Sequence, residues 1–411
     1  MRAVGTVVVN CLLKPPHRAS CHASGIAVDL NEIAKGLTRM KSFHCGHCRL
    51  LVFFENFQCV KCGHLLAYLP NSGDISSLEP LGDNLWGSVG EGSKGQRYRL
   101  CGNRIAYNVC NWAVSAEDPN PLCLSCRLTR VIPDITQQAN KDGWFKLEVA
   151  KRRLVYSLLS LRLPLRDKIQ DPKNGLTFEF KADEPNNRIL TGHDGGVITV
   201  NVAEADDAER EKRRVSNKEP YRTSLGHFRH EIGHYYWDRL IVGSARLEGF
   251  RKLFGDEQID YQQALAEYYK NGPRGNWQEA HISAYSTAHP WEDWAETWAH
   301  YLHMVDALET ASETGLMLKP KTDDEPAIGP DSVWTQISGN VFNAMANKWH
   351  ALTYVLNNFN RGLGLADSYP FVLSAPVIEK LRFIHETIVA SLDERSHVYR
   401  ATYSVTESSA P

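Results

Sequence analysis

No apolar run in the chain approaches the ~20 residues that a helix needs to cross a bilayer, so no membrane partner is expected. Neither charge is in excess. The 46 basic and 48 acidic residues leave a net charge of -2, which gives no general pull toward nucleic acid or an anionic membrane surface. Cysteine is nearly missing outside one region: eight of the ten fall between Cys45 and Cys126, in pairs with metal-ligand spacing. That distribution argues against a disulfide framework and for zinc-bound thiolates in a reducing cytosol. The rest of the composition, 43% apolar and 23% charged over 411 residues, is ordinary for a soluble protein of about two to three domains.

Residues 1–39 differ in character from the rest of the chain. A short apolar stretch from Val4 to Leu13 is interrupted by Asn10 and leads into Lys14-Pro15-Pro16, with Cys11 and Cys21 as leftover thiols. One basic residue before a weak apolar core makes a poor export signal, and Met40, just ahead of the first cysteine pair, is the expected start.

Cys45-x2-Cys48 and Cys59-x2-Cys62 have zinc-ribbon spacing, each pair a tight turn, with Leu50 to Phe54 expected as a strand between them. Four thiolates close a tetrahedral site, so this zinc is expected to be structural. His44, His47 and His64 flank the pairs and are not needed as ligands. Cys101, Cys110, Cys123 and Cys126 are expected to form a second four-cysteine site. Arg97, Arg99, Arg104, Arg127 and Arg130 form only a modest basic cluster. A protein partner for the ribbon is therefore a better expectation than nucleic acid.

Beyond Ile132-Pro133-Asp134, Trp144 to Leu163 has helical spacing, and Leu176 to Lys181 and Gly196 to Ala203 alternate as strands, the latter after a turn at His193 to Gly196. A small antiparallel sheet is expected, then a solvated charge run from Asp206 to Arg214.

His230-Glu231-Ile232-Gly233-His234 is the arrangement a zinc hydrolase needs on one helix, expected here over Pro220 to Ile241. Positions i and i+4 project side by side, so both imidazoles can reach one ion while Glu231 faces a water as general base. Such a pentapeptide arises by chance in roughly one chain of this histidine content in twenty-five, so the downstream sequence has to decide. His227, one turn earlier, is expected to pack near the cleft. The glycine and third histidine of the extended motif do not come after His234, so the third ligand must come from another element. The best source is a helix opening at His289-Pro290, where Trp291, Trp294, Trp298 and Tyr301 or Leu302 make a buried stripe and Glu292 and Glu296 lie on the adjacent one. Unpaired carboxylates are costly beside such a stripe. Glu292 is expected to ligate zinc and Glu296 to fix a ligating imidazole, with Asp293 a first-turn charge favoured by the helix dipole.

These segments, Met40 to Cys62, Cys123-Leu-Ser-Cys-Arg-Leu, His230 to Asp238 and His289 to His300, resemble bacterial proteins that join a zinc ribbon to a zinc-binding metallopeptidase domain. More distantly the chain is similar to gluzincin peptidases such as the anthrax lethal factor catalytic domain. There a Glu-x-x-Ala-Glu helix gives the third ligand and a tyrosine seven residues earlier stabilises the oxyanion. That likeness makes Tyr285 a catalytic candidate, with a buried structural tyrosine as the equal competitor, and implies that the strand Gly196 to Ala203 offers a sheet edge to an extended substrate.

The expected architecture is α+β: an extension over 1–39, a double zinc ribbon over 40–135, a zincin-like domain over 144–395 and a flexible tail over 396–411. Val333 to Gly362 and Pro376 to Leu392 are expected as C-terminal core helices, after an acidic, proline-punctuated loop between Pro320 and Pro330. The expected activity is hydrolysis of a peptide or protein substrate with three zinc ions, one catalytic and two structural. The competing readings are a non-catalytic ribbon adaptor, against which the intact Glu231 argues, and a zinc hydrolase of some other bond.

Overall fold

Short two-residue strands frame the first cysteine pair in the computed structural model, which describes residues 42–404 apart from 185, 217–218, 221, 323–324, 326 and 330–340. Residues 1–39, Met40, Cys11, Cys21, the start of the helix expected from Val333 and the last residues of the tail lie outside the described residues. β1 (Phe43–His44) pairs antiparallel with β2 (Leu51–Val52). The strand expected to continue to Phe54 stops at Val52, because the Asn56 side chain accepts the Phe53 N–H at 2.7 Å and turns the chain.

A five-stranded antiparallel meander comes next: β3 (Leu65–Leu69), β4 (Asp74–Gly82), β5 (Leu85–Ser88), β6 (Arg97–Leu100) and β7 (Ala113–Ser115). Between the last two, α1 (Gly102–Tyr107) stops at Asn108, whose φ of 55° is a left-handed cap that asparagine tolerates. Most of the basic cluster is used internally. Arg104 donates to the Phe57 carbonyl at 3.1 Å, Arg127 pairs with Asp118 at 2.7 Å, Arg130 pairs with Glu179, and Arg99 binds the Asp118 carbonyl.

The ribbon is tied to the rest of the chain by its last strand. Its last segment, β8 (Thr129–Val131), leaves the module and joins the second sheet. α2 (Gln138–Ser160) comes after it and buries Trp144, Leu147, Leu154 and Leu158, which stabilise it by roughly 2 kcal/mol each. It is the crossover that returns the chain to β9 (Thr177–Lys181), parallel to β8. β10 (Gly192–Asp194) and β11 (Val197–Asn201) make a hairpin across Gly195-Gly196, whose φ values of 52° and 84° suit the mirror-image turn favoured in two-residue hairpins. The order β10-β11-β9-β8 is therefore mixed, not the antiparallel sheet expected: only the hairpin is antiparallel, the helical crossover makes β8 and β9 parallel, and β10 reverses the chain so that β11 also runs parallel to β9.

The charge run forms α3 (Asp207–Ser216). The helix that carries His230 and His234, α4 (Ser224–Leu240), begins four residues later than expected, where the Thr223 hydroxyl accepts the Gly226 N–H at 2.9 Å. α5 (Leu247–Phe254) and α6 (Tyr261–Asn271) precede α7 (Pro290–Glu313), which His289 caps and Pro290 opens. α8 (Phe342–Gly362) and α9 (Ala375–Ser404) complete the fold, and α9 continues helical well into the segment expected to be a flexible tail. Among the described residues no helix is long and apolar enough to cross a membrane.

One continuous apolar core runs from the ribbon to α9. Phe54, Tyr68 and Tyr156 meet edge-on, with ring centroids 5.3 to 5.7 Å apart, where the ribbon packs on α2. Arg152, 1% exposed, donates from α2 to the Val109 carbonyl at 2.6 Å in the same interface.

Candidate metal centre

Each cysteine cluster is drawn together by local turns. The sulfurs of Cys45 and Cys62, and of Cys48 and Cys59, are 3.5 Å apart, and those of Cys110 and Cys123 are 3.7 Å apart. A disulfide would need ~2.05 Å, whereas thiolates around tetrahedral zinc at ~2.3 Å are separated by ~3.8 Å. Backbone N–H groups of Trp112, Cys123 and Cys126 donate to sulfurs of the second cluster at 3.4 Å, which stabilises negative thiolates. His47 and His64 stack on each other, centroids 3.9 Å apart at 19°, and with Cys62 bring three donor atoms within 4.8 Å, a group that shares its sulfur with the four-cysteine cluster.

The third group is made by two helices crossing. On α4, His230 and His234 are one turn apart, and α7 packs against it closely enough that Trp294 donates its indole N–H to the Gly233 carbonyl at 2.9 Å. The glycine within the motif permits that approach, since a Cβ there would lie 3.0 Å from the Ala295 Cα and 3.1 Å from the Trp298 Cβ. Trp294 and Trp298 are fully buried and fix the rotation of α7, which turns Glu292 and Glu296 toward the histidines.

His230 Nε2 is 3.0 Å from Glu292 Oε2 and 3.2 Å from His234 Nε2, and His234 Nε2 is 3.6 Å from Glu292 Oε2. Around tetrahedral zinc with ~2.0 Å bonds, neighbouring donor atoms stand ~3.3 Å apart, so these three atoms fit one ion. Glu292 Oε2 also makes no well-directed hydrogen bond although the residue is 1% exposed. A buried anionic oxygen in that state calls for a cation. Burial works against a charged His230, but Glu292 and Glu296 outweigh it and hold the imidazole well above the usual histidine range. Burial likewise opposes ionised Glu292, and His234 and His230 together hold its carboxyl well below the usual range.

Glu296 stands behind His230: its Oε1 is 2.8 Å from His230 Nδ1, and its Oε2 accepts from the Ser283 hydroxyl at 2.6 Å. That bond puts the proton on Nδ1 and leaves Nε2 facing the cluster. Tyr261, on α6, donates to the other Glu292 oxygen, Oε1, at 2.6 Å. No spacing in the sequence links residue 261 to 292, and the contact exists only because α6 docks beside α7.

The cluster opens on a cleft of about 350 Å³. Glu231, Tyr285 and Trp237 line it, with His193 and Asp194 of β10 opposite. The Tyr285 ring lies 6.0 Å from that of His230. Burial, with Glu292 nearby, raises the Tyr285 pKa well above that of an ordinary tyrosine. His193 stacks toward His234, centroids 6.4 Å apart, and its Nε2 accepts the Gly196 N–H at 3.1 Å. The expected position of the sheet edge is corrected here: β11 has neighbours on both sides, and β10 is the edge at the cleft.

Two other expectations are sharpened. Asp293 is a first-turn charge of α7, as expected, and it is also buried, 2.6 Å from Lys380 Nζ on α9. Burial raises its pKa to about 7 against the pull of Lys380. His227 does not face the cleft, and its Nδ1 lies 3.3 Å from Glu204.

Comparison with known proteins agrees with this geometry in kind. Residues 42–137 match a zinc-ribbon domain model, and residues 140–387 match the family described as "Putative zinc-binding metallo-peptidase". An "Uncharacterized protein" of Mycobacterium tuberculosis (strain ATCC 25618 / H37Rv) and one of Mycobacterium bovis are each 43% identical over 350 residues, covering 85% of this chain and 95% of theirs. No solved structure matches. The chain, with a zinc-ribbon domain ahead of its metallo-peptidase domain, belongs to that family.

Proposed function

We propose that the protein is a zinc-dependent peptidase of gluzincin type, with one catalytic zinc on His230, His234 and Glu292 and two structural zincs in the cysteine clusters. The observation that carries this reading is the convergence of three donor atoms at 3.0, 3.2 and 3.6 Å beside Glu231 in an open cleft. When bound, the ion supplies Lewis acidity, bringing the pKa of a water to about 7 and polarising a carbonyl.

The chain's own residues do the rest. Glu231 accepts a proton from the attacking water at its carboxylate and passes it to the leaving amine. Glu296 keeps His230 in the tautomer that presents Nε2. Tyr285, held protonated, donates from its phenol to the oxyanion of the tetrahedral intermediate. The cysteine clusters offer four sulfurs each and no open position, which suits support of the fold and contact with a protein partner.

Zinc per chain by elemental analysis tests the reading. Three ions are expected, falling toward two in His234→Ala and Glu292→Ala; two ions unchanged by either would favour a ribbon adaptor. Glu231→Gln should keep all three and lose cleavage by roughly 10²- to 10⁴-fold. Normal cleavage by that variant would remove Glu231 from the mechanism.

A further inference from the structure

We propose that a peptide lying along the sheet edge at β10, the placement the family resemblance already implies, is selected for an aspartate or glutamate beside the residue presented to the metal centre. The inference rests on the peptidase reading and adds the substrate class.

β10 ends the sheet, and its hairpin closes on the pair Asp194 and Val197 across two residues. In such a ladder the closing pair exchanges hydrogen bonds and the next pair does not, which leaves the N–H and C=O of His193 on the outward edge. An added strand would pair there, directly beside the metal cluster. Side chains alternate between the two faces of a sheet. His193 is on the face toward His234, so by alternation Gly192 and Asp194 belong to the opposite face, together with Thr199 and Val197 opposite them in register, and Asp194, at the end of the hairpin, borders the metal cleft as well.

That outer face carries a second cavity, about 630 Å³, lined by Arg130, Lys181 and Arg188 around Gly192 and Thr199. Arg130 Nε and Lys181 Nζ both lie on the Glu179 carboxylate, at 2.7 and 2.6 Å. One carboxylate cannot neutralise both, and Arg188 has no ion-pair partner among the described residues. Even with Asp194 at the rim the lining stays positive.

In the added strand, the residue opposite His193 faces the cleft, and its two neighbours face the outer cavity, one over Gly192 and one over Asp194. Asp194 repels an acid. Above Gly192 the space is open, since a Cβ there would meet nothing within 4 Å. An acidic side chain over Gly192 therefore reaches the cationic wall, and its distance from the cleft residue is fixed at one position by the alternation.

The test is cleavage-site profiling of the zinc-loaded full chain on a complex peptide library with free and amidated C-termini, read by mass spectrometry. Asp and Glu should be enriched about fivefold at one position near the cleaved bond, ~1 kcal/mol at 1.4 kcal/mol per decade, as a partly exposed ion pair gives. Arg188→Glu, a change at an exposed residue, should erase or invert that preference. Cleavage without acidic enrichment, or enrichment unchanged in Arg188→Glu, would overturn the inference and leave the peptidase standing. Enrichment confined to free C-termini would replace the side chain by a chain end and equally overturn it. No cleavage of any peptide by a chain holding three zincs would overturn the peptidase reading itself.

Discussion

Gly233→Ala separates local helix preference from tertiary packing at the metal site. On an exposed helix, glycine to alanine stabilises by about 1 kcal/mol. Here the new Cβ would stand 3.0 Å from the Ala295 Cα and 3.1 Å from the Trp298 Cβ. Neither atom is the end of a flexible side chain, so α4 and α7 must separate by a few tenths of an ångström. Overpacking of this kind costs about 1–3 kcal/mol, which cancels or exceeds the propensity gain, and a net loss of about 1 kcal/mol is expected. In a domain this size that lowers the melting midpoint by about 2–4 °C. The same separation stretches the Trp294 bond to the Gly233 carbonyl and both donor distances that span the helices, from Glu292 to His230 and to His234. The distance between the two histidines, within α4, should not change. Thermal melting and zinc affinity by chelator competition, on one preparation, measure both effects. A variant that melts at or above the wild type and binds zinc equally would refute the close crossing as the reason for this glycine.

Three other contacts give outcomes of their own. Tyr261→Phe removes the donor to Glu292 Oε1 and should weaken zinc binding by about tenfold with little loss of stability; an unchanged dissociation constant would make that contact incidental. Glu204 is 2% exposed, and although burial opposes its ionisation, His227, Arg222 and Arg213 hold its pKa at about 2, below the ordinary 4.5. Its stabilisation, ~3 kcal/mol, is complete above about pH 5 and lost as pH falls from 4.5 toward 2, so Glu204→Gln should flatten the stability curve in that window, read by denaturant titration; an unchanged slope would refute the assignment. A chain starting at Gln138 loses the Val109 carbonyl that receives Arg152 and should not melt cooperatively; a sharp transition with one bound zinc would show that the ribbon is dispensable.

What could be read from the sequence was whatever local geometry determines. A helix fixes the offset between His230 and His234, and between Glu292 and Glu296, so the motif and its partner pair were visible as patterns, and the tryptophan stripe gave α7 its inward face. The Cys-x2-Cys turns are equally local. The contacts that escaped depend on docking. Tyr261 reaches Glu292 from a helix that has no buried residue and no motif. Asp293 is the first-turn charge its position suggests, but its ion pair was hidden because the partner, Lys380, is 87 residues away. The pairing of β8 with β9 had no signature either, because a parallel strand pair joined through a 23-residue helix leaves no turn signal between its members.

That last contact bears on why two four-cysteine clusters precede the histidine–glutamate cluster at all. β8 supplies the outer strand beside β9, and β9 carries Phe178 and Phe180, which pack edge-on against Phe228 of α4. α2 carries Glu148, Lys151 and Arg152, all at most 1% exposed. Lys151 Nζ is 2.8 Å from Glu148 Oε1 and also donates to Thr129 of β8, while Arg152 needs the Val109 carbonyl, between Cys101 and Cys110. Buried charges that lose such partners cost about 3–5 kcal/mol each, comparable with the whole stability of a domain. The ribbon thus completes the core on which α4 rests, and the second cysteine cluster, next to Val109 in sequence and followed closely by Thr129, sits where a bound ion would fix the partners that α2 needs.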